Sequence, residues 1–467
     1  MSTAKFAVVV CALLLGWTAV AASPLVSGSE NSTLSSPGSN WITYHDDLHR
    51  DGFDSKSSGT FPPSVSWETV PLDGSIFAEP LVYNGVVYVA TENNSIYAFE
   101  AASGNEIWRV NLGAPVPASA LQCSPIDPVG ITGTPAIDPT NNVLYAVAYL
   151  YLGSSLAPLH MLFGINAISG QVVFKFNVNP IGINSRVELQ RGALAIANGI
   201  VYVTYGGLGD CGTYHGYVVG VSEKGNAFYQ YKTPSGGGSG IWASSGPAVD
   251  SSGSVFVTTG NSGNSKFDYG DSVIMLSPNL KEVSYFAPLD YSYLNVNDVD
   301  LGSSGPAILG STGLIFQIGK QGVGYLLNLN DLGGVGGQVF LKQICSSGNG
   351  GFGGTAYANK VIYVPCLDGL VALKLSLSPR PSFSVLWRGP QFSGPLYNAG
   401  PPIVSAGAVW TVDLNNGLLY AFNTTSGAQL YSYNLGAAAS TVHFLTPASA
   451  NDRIFVASND TLLAFSI

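Results

Sequence analysis

The residues best placed to do chemistry are acidic and lie close together. Asp298-Val299-Asp300 sits within the stretch from Asn295 to Ser303, and Lys320 follows in Gly319-Lys320-Gln321-Gly322. A carboxylate beside an ammonium can act as a base or as part of an anion site. Trp242 is an indole that could lie against a planar ring. Familiar signatures are absent from the sequence. There is no HxH, HExxH or acidic run with metal-site spacing, so no metal site is expected. There is also no GxSxG elbow, and no phosphate-cradling loop that leads into a helix. Any site must therefore be assembled by the fold from distant residues.

Composition narrows the setting. Only 10% of the 467 residues are charged, and the formal charge is −10. A nucleic-acid binder needs a basic stripe, whereas the 18 Lys and Arg here are scattered, so no nucleic-acid partner is expected. Polar surface must come from Ser, Asn, Thr, Gln and Gly, which suits an extracytoplasmic protein in an acidic setting.

The N-terminus has the form of a secretion signal over residues 1–22. Lys5 supplies the positive charge, Phe6 to Trp17 is apolar, and Val20-Ala21-Ala22 offers small residues for cleavage. Retention of this segment as an uncleaved anchor is the alternative. No later run is long enough to span a membrane. Residues 23–40 are rich in Ser, Asn, Gly and Pro and are expected to form a disordered linker. Without Cys11, four cysteines remain, and in an oxidising compartment they suggest two disulfides. Four Asn-x-Ser/Thr sequons begin at Asn31, Asn93, Asn423 and Asn459 and could carry glycans.

These residues are positioned by a repeat. Ala98-Phe99-Glu100-Ala101-Ala102-Ser103-Gly104 precedes Trp108. Gly164-Ile165-Asn166-Ala167-Ile168-Ser169-Gly170 precedes Phe174. Ala421-Phe422-Asn423-Thr424-Thr425-Ser426-Gly427 precedes Tyr431. Each copy is a hairpin: Asn or an acidic residue opens the turn, Gly takes positive φ, and the next strand carries the aromatic. Upstream lies a short apolar stretch, often after Pro, and then alternating Val, Ile and Tyr, a strand signal. Such units begin near Pro80, Pro135, Ala193, Pro247, Pro306, Thr355, Pro401 and Pro447. Their spacing of about 45–59 residues is the size of one four-stranded blade.

The last unit is one strand short. Val65-Ser66-Trp67-Glu68-Thr69-Val70 can supply that strand, with Trp67 in the slot of Trp108. The sequence therefore predicts an all-β, eight-bladed propeller over residues 41–467. Each blade is a four-stranded antiparallel sheet, and the ring is closed by an N-terminal strand, which removes free sheet edges.

The copy at Ala98 to Trp108 resembles the PQQ-type (pyrroloquinoline quinone) repeat, and the resemblance covers nearly the whole of residues 41–467. Trp41-Ile42-Thr43-Tyr44-His45-Asp46-Asp47 is similar to the N-terminal segment of exported members. Gly209 to Gly216 looks most like secreted propellers of unassigned activity. The wider group includes quinoprotein alcohol dehydrogenases, outer-membrane assembly lipoproteins and tetrathionate hydrolases. In the dehydrogenases an Asp before an inner strand is the base and helps to hold Ca2+, and a basic residue on the next turn contacts the quinone. Asp300 and Lys320 occupy similar positions. Those enzymes also carry adjacent cysteines over the quinone, which this chain lacks. The resemblance thus leaves PQQ with Ca2+ disfavoured, and no cofactor is expected.

In propellers of this type, the loops that enter the innermost strands share the top face with the loops between second and third strands. The former rule brings Glu79, Gln190, Arg191, Trp242, Asp298, Asp300, Asn398 and His443 towards one funnel, a default ligand site. Long loops at Tyr149 to Leu159, Gly206 to Gly216 and Gly260 to Asp271 share that face. His160, His215 and Tyr269 lie in or beside them. The cysteines fall in two groups on different sides of the ring. Because bridged α-carbons must lie within about 7 Å, the expected pairs are Cys123–Cys211 and Cys345–Cys366. The leading expectation is an exported propeller that binds a small molecule or an envelope protein in its funnel. The alternatives are an enzyme using Asp298 or Asp300 (quinone-linked, or resembling tetrathionate hydrolase) and a structural envelope protein.

Overall fold

The computed structural model describes residues 39–346, 350–392, 399–436 and 444–467. The strands assemble into eight sheets, one per repeat, and all eight are antiparallel through their four blade strands. Blade 1 runs Leu81–Tyr83, Val86–Ala90, Ser95–Glu100 and Glu106–Asn111 from inside to outside. Blades 2 to 7 repeat the order, beginning at Ala136, Ala195, Ala248, Ala307, Ala356 and Ile403. Three short strands lie outside the simple pattern: Glu188–Leu189 pairs in blade 3, and Phe53–Asp54 and Gly334–Val335 add parallel edges to blades 7 and 4. The single α-helix among the described residues is one short piece, Tyr291–Val296, in the top connection from blade 4 to blade 5.

Blade 8 takes three strands from the end of the described chain and its outer strand from Ser64–Glu68. Val65 pairs with Phe465 and Trp67 with Ala464, across a bulge that keeps the indole directed at the next blade. The core lies between neighbouring blades. Tyr145, Val147 and Leu162 of blade 2 pack on Val201, Val203 and Val219 of blade 3, all with 3% or less of their surface exposed.

The Ser-Gly turn owes its recurrence to packing between blades. Trp108, on the outer strand of blade 1, donates its indole N–H to Ala167 O in the turn of blade 2 (3.1 Å). Trp387 does the same to Thr424 O in blade 7 (2.9 Å), and Trp67 to Ala101 O in blade 1 (3.1 Å). The glycine after each serine has positive φ, and its bare face lies under the indole. A β-carbon at Gly104 would fall 2.6 Å from the Trp67 ring. The turn thus needs Gly for two reasons, conformation and contact.

The segment Trp41–Asp54 crosses the central channel and touches all eight blades in turn. Trp41 pairs with Val82 of blade 1, and Ile42 O accepts from Ile137 N of blade 2. Thr43 Oγ1 donates to Leu194 O beside blade 3, and Leu48 O accepts from Val249 N of blade 4. His49, Asp51 and Gly52 present their carbonyls to Ile308, Tyr357 and Val404 of blades 5, 6 and 7. Asp54 Oδ2 accepts from Ser449 Oγ of blade 8. Arg50, 1% exposed, ties the loop together by donating to Pro247 O, Thr43 Oγ1, Tyr44 O and Leu194 O. The left-handed conformations of His45, Asp46 and Arg50 let so short a stretch fold on itself inside the ring. The channel is thus plugged by the chain itself, and Tyr44 and His45, stacked at 4.3 Å, form the floor of the top-face opening.

Candidate functional site in the top-face funnel

Asp300 and Lys320 meet as the sequence spacing suggests. Lys320 Nζ lies 2.6 Å from Asp300 Oδ2 and 2.9 Å from Asp298 Oδ1, and it also donates to Asp298 O (3.2 Å). The other Asp300 oxygen accepts from Asn261 N at 2.6 Å. The Asp300 side chain is only 6% exposed, Lys320 24% and Asp298 66%, so the pair lies at the edge of solvent. Burial raises the Asp300 carboxyl above the usual range, while Lys320 and the Asn261 amide act in the opposite direction. Burial works against the charge of Lys320, but Asp300 and Asp298 outweigh it and keep the ammonium protonated.

Behind the pair stands Asp271, fully buried. Its Oδ1 accepts from Leu301 N at 2.7 Å, which holds the turn that carries Asp300. Its Oδ2 has no hydrogen-bond partner. Burial, then the charge of Asp300, pushes this carboxyl well above its ordinary value. Asn295 Oδ1 accepts from Ser262 N and pins the neighbouring loop.

Aromatic rings complete the site. Lys320 Nζ stands 5.7 Å from the centroid of Trp242. Trp242 lies 6.4 Å from both Phe352 and Phe444, which stack on each other at 6.2 Å. The Arg191 guanidinium covers Phe444 at 4.3 Å. Trp242, Arg191 and Asn261 are partly exposed, whereas Phe352 and Phe444 are buried.

Not every expected funnel residue lies there. Glu79 is 2% exposed, and both its oxygens are used below the floor: Oε1 accepts from Trp41 Nε1 and Oε2 from His45 N, each at 2.9 Å. Gln190 is also buried and donates to Gly192 O, shaping the turn beside Arg191. His215 sits at the rim of blade 3, where its N–H donates to Glu188 Oε1 and its ring meets Tyr217 edge-on. His160 is buried, stacked on Tyr149 and bonded to Asn179, and burial lowers it to about 4. Tyr269 donates to Glu282 on the outer side of blade 4. Asn398 and His443 lie outside the described residues.

Phe352, Phe444, Asp271 and the Asn261 amide were not legible as site residues. Phe352 and Phe444 come from irregular connections with no period to mark them. Two disulfides frame the top face, Cys123–Cys211 between the loop after blade 1 and a long loop of blade 3, and Cys345–Cys366 between blades 5 and 6. Their α-carbons are 6.1 and 5.4 Å apart.

The family model of the outer membrane protein assembly factor BamB (PQQ_2) matches residues 63–129, the first blade with its flanks. The fold is also that of solved propellers. Quinohemoprotein alcohol dehydrogenase from Comamonas testosteroni superposes with a TM-score of 0.68 over 91% of this chain and 80% of its own, at 15% identity. The chain has the propeller fold of the solved PQQ-type dehydrogenases and of BamB. A europium-containing methanol dehydrogenase gives 0.68 over 92% and 98%, at 13% identity. BamB from Moraxella catarrhalis gives 0.57 over 87% and 100%, at 12% identity. No curated protein matches the sequence. At such identities the PQQ-type likeness carries the fold and not the activity.

The site differs from the dehydrogenase pattern in two respects. Trp242, the indole expected to lie against a planar ring, has Phe352 and Phe444 tilted against it at 6.4 Å. Neither disulfide joins adjacent cysteines.

Proposed function

We propose that this PQQ-type propeller is an exported binding protein whose top-face funnel takes a small polar ligand. The observation that carries the reading is the Asp300–Lys320 pair, held at 2.6 Å beside the partly exposed indole of Trp242. A carboxylate fixed by an ammonium at the edge of solvent offers oriented acceptor lone pairs, and an adjacent ring gives an apolar contact. Arg191 adds a second cation across the aromatic group. The ligand that suits this set carries a hydroxyl, amide or carboxylate beside an apolar group. Export is supported by the signal-like residues 1–22 and by two disulfides, which persist in oxidising compartments. An envelope protein, as the BamB likeness suggests, is the competing partner class.

A second reading, hydrolysis with Asp300 as the base, is favoured by one observation: burial keeps that carboxyl above the usual range, nearer to working pH. A panel of small polar compounds screened by thermal shift tests the first reading. Hits should raise the melting temperature of the wild type and leave Trp242→Ala unmoved. A panel that shifts both proteins equally, or neither, overturns it. Product formation that Asp300→Asn abolishes would install the second.

A further inference from the structure

We infer that the ammonium of Lys320 occupies a cation position between Asp298 and Asp300, so that the chain supplies its own cation where a metal ion would otherwise bind. The inference rests on the same funnel site as the proposed function but concerns its electrostatics rather than its ligand.

Geometry carries the argument. An ammonium has three protons, and the three acceptors around Nζ are Asp300 Oδ2 at 2.6 Å, Asp298 Oδ1 at 2.9 Å and Asp298 O at 3.2 Å. Two carboxylates and a carbonyl converging on one point form an oxygen set of the kind that hard cations take. Asp298 holds a left-handed conformation (φ 55°) that brings its carbonyl and carboxylate to the same point. A third carboxyl, Asp271, stands behind the position with Oδ2 buried and unpartnered, and the charges of Asp300 and Lys320 act on it. Lys320 is the cation in contact with Asp298 and Asp300 among the described residues. With all three protons used, a metal cannot enter without expelling the side chain, and expulsion would strip a partly buried ammonium of its partners.

Removing the amine while keeping the volume should therefore expose the position. Terbium is a suitable probe, because an indole within a few ångströms sensitises its emission and Trp242 stands 5.7 Å from Nζ. The full chain is titrated with Tb3+ under indole excitation as wild type, Asp300→Asn, Lys320→Met, Lys320→Arg and the double variant Lys320→Met/Asp300→Asn. Thermal melts verify that each is folded, and Lys320→Gln replaces the Met variant if the latter does not fold. The inference predicts no Asp300-dependent emission from wild type or Lys320→Arg. It predicts one sensitised ion per chain in Lys320→Met, lost again in the double variant. Wild-type emission that Asp300→Asn removes would show a metal bound beside the lysine and would overturn it. A folded Lys320→Met or Lys320→Gln chain that stays silent would overturn it too. Ligand binding in the thermal-shift screen is independent of either result, so the two readings can fail separately.

Discussion

Trp67 donates its indole N–H to the carbonyl of Ala101 at 3.1 Å, and that contact joins the last blade to the first. Its neighbours make the same bond from Trp108 and Trp387 to the next turn along. The seam of the ring is thus built like its other junctions, although it brings together strands from opposite ends of the described chain.

Trp67→Ala should cost up to about 3 kcal/mol, the low end for loss of a large aromatic, since the ring is only partly buried. Deleting residues 41–72 should do far more. It removes the outer strand of blade 8 and the segment that bonds to every blade, leaves an open edge, and should cause aggregation. Deleting residues 23–38 should change little. Melting curves decide this, and equal stability of the two deletions would contradict the closure.

Glu79→Ala should leave the Trp41 indole and the His45 amide as buried donors without acceptors. Each such group costs about 1–3 kcal/mol, so the loss should be about 2–6 kcal/mol. Because Glu79 anchors the floor and not the ligand, ligand affinity per folded molecule should stay unchanged. Chemical denaturation combined with a binding titration separates the two effects.

Stability should be greatest in mild acid. Burial pushes Asp46, Asp51 and Glu188 up to about 8 and Glu92 up to about 7. Unfolded carboxyls titrate near pH 4, so the folded chain binds more protons between about pH 4 and 8. Stability from these groups is complete below pH 4 and is lost as pH rises through 7–8. His45 and His160, lowered by burial to about 3 and about 4, act oppositely as pH falls below about 6.5. Four carboxyls against two histidines leave the maximum on the acid side. Melting temperature should fall from pH 5 to pH 9, and a maximum above pH 8 would contradict these burials.

Loss of Cys123–Cys211 should destabilise more than loss of Cys345–Cys366. The sequence separations are 88 and 21 residues, and loop closure in the unfolded chain gives about 4–5 and about 3 kcal/mol. Double Cys→Ser variants measured by denaturant unfolding test the order.

The eight blades and their split closure were legible because the repeat encodes contacts between neighbours: a Ser-Gly turn and an aromatic that docks on the turn of the next blade. Asp300 and Lys320 were legible because each lies at a fixed point of that repeat. Glu79 occupies the same kind of position, yet it serves the floor, because the Trp41–Asp54 segment fills the channel below it. No periodicity marks that segment. Its path depends on left-handed residues and on bonds to all eight blades, which exist only once the ring has formed. Phe352 and Phe444 were hidden for a similar reason, since irregular connections carry them.

The most direct test of the funnel site is calorimetric titration of the strongest thermal-shift hit into wild type, Trp242→Ala and Asp300→Asn at one pH. A lost hydrogen bond to a charged group is worth about 1.5–3 kcal/mol, so affinity for Asp300→Asn should drop by roughly 10- to 150-fold, with a comparable loss for Trp242→Ala. Affinity unchanged in both folded variants would place the ligand elsewhere and contradict the account.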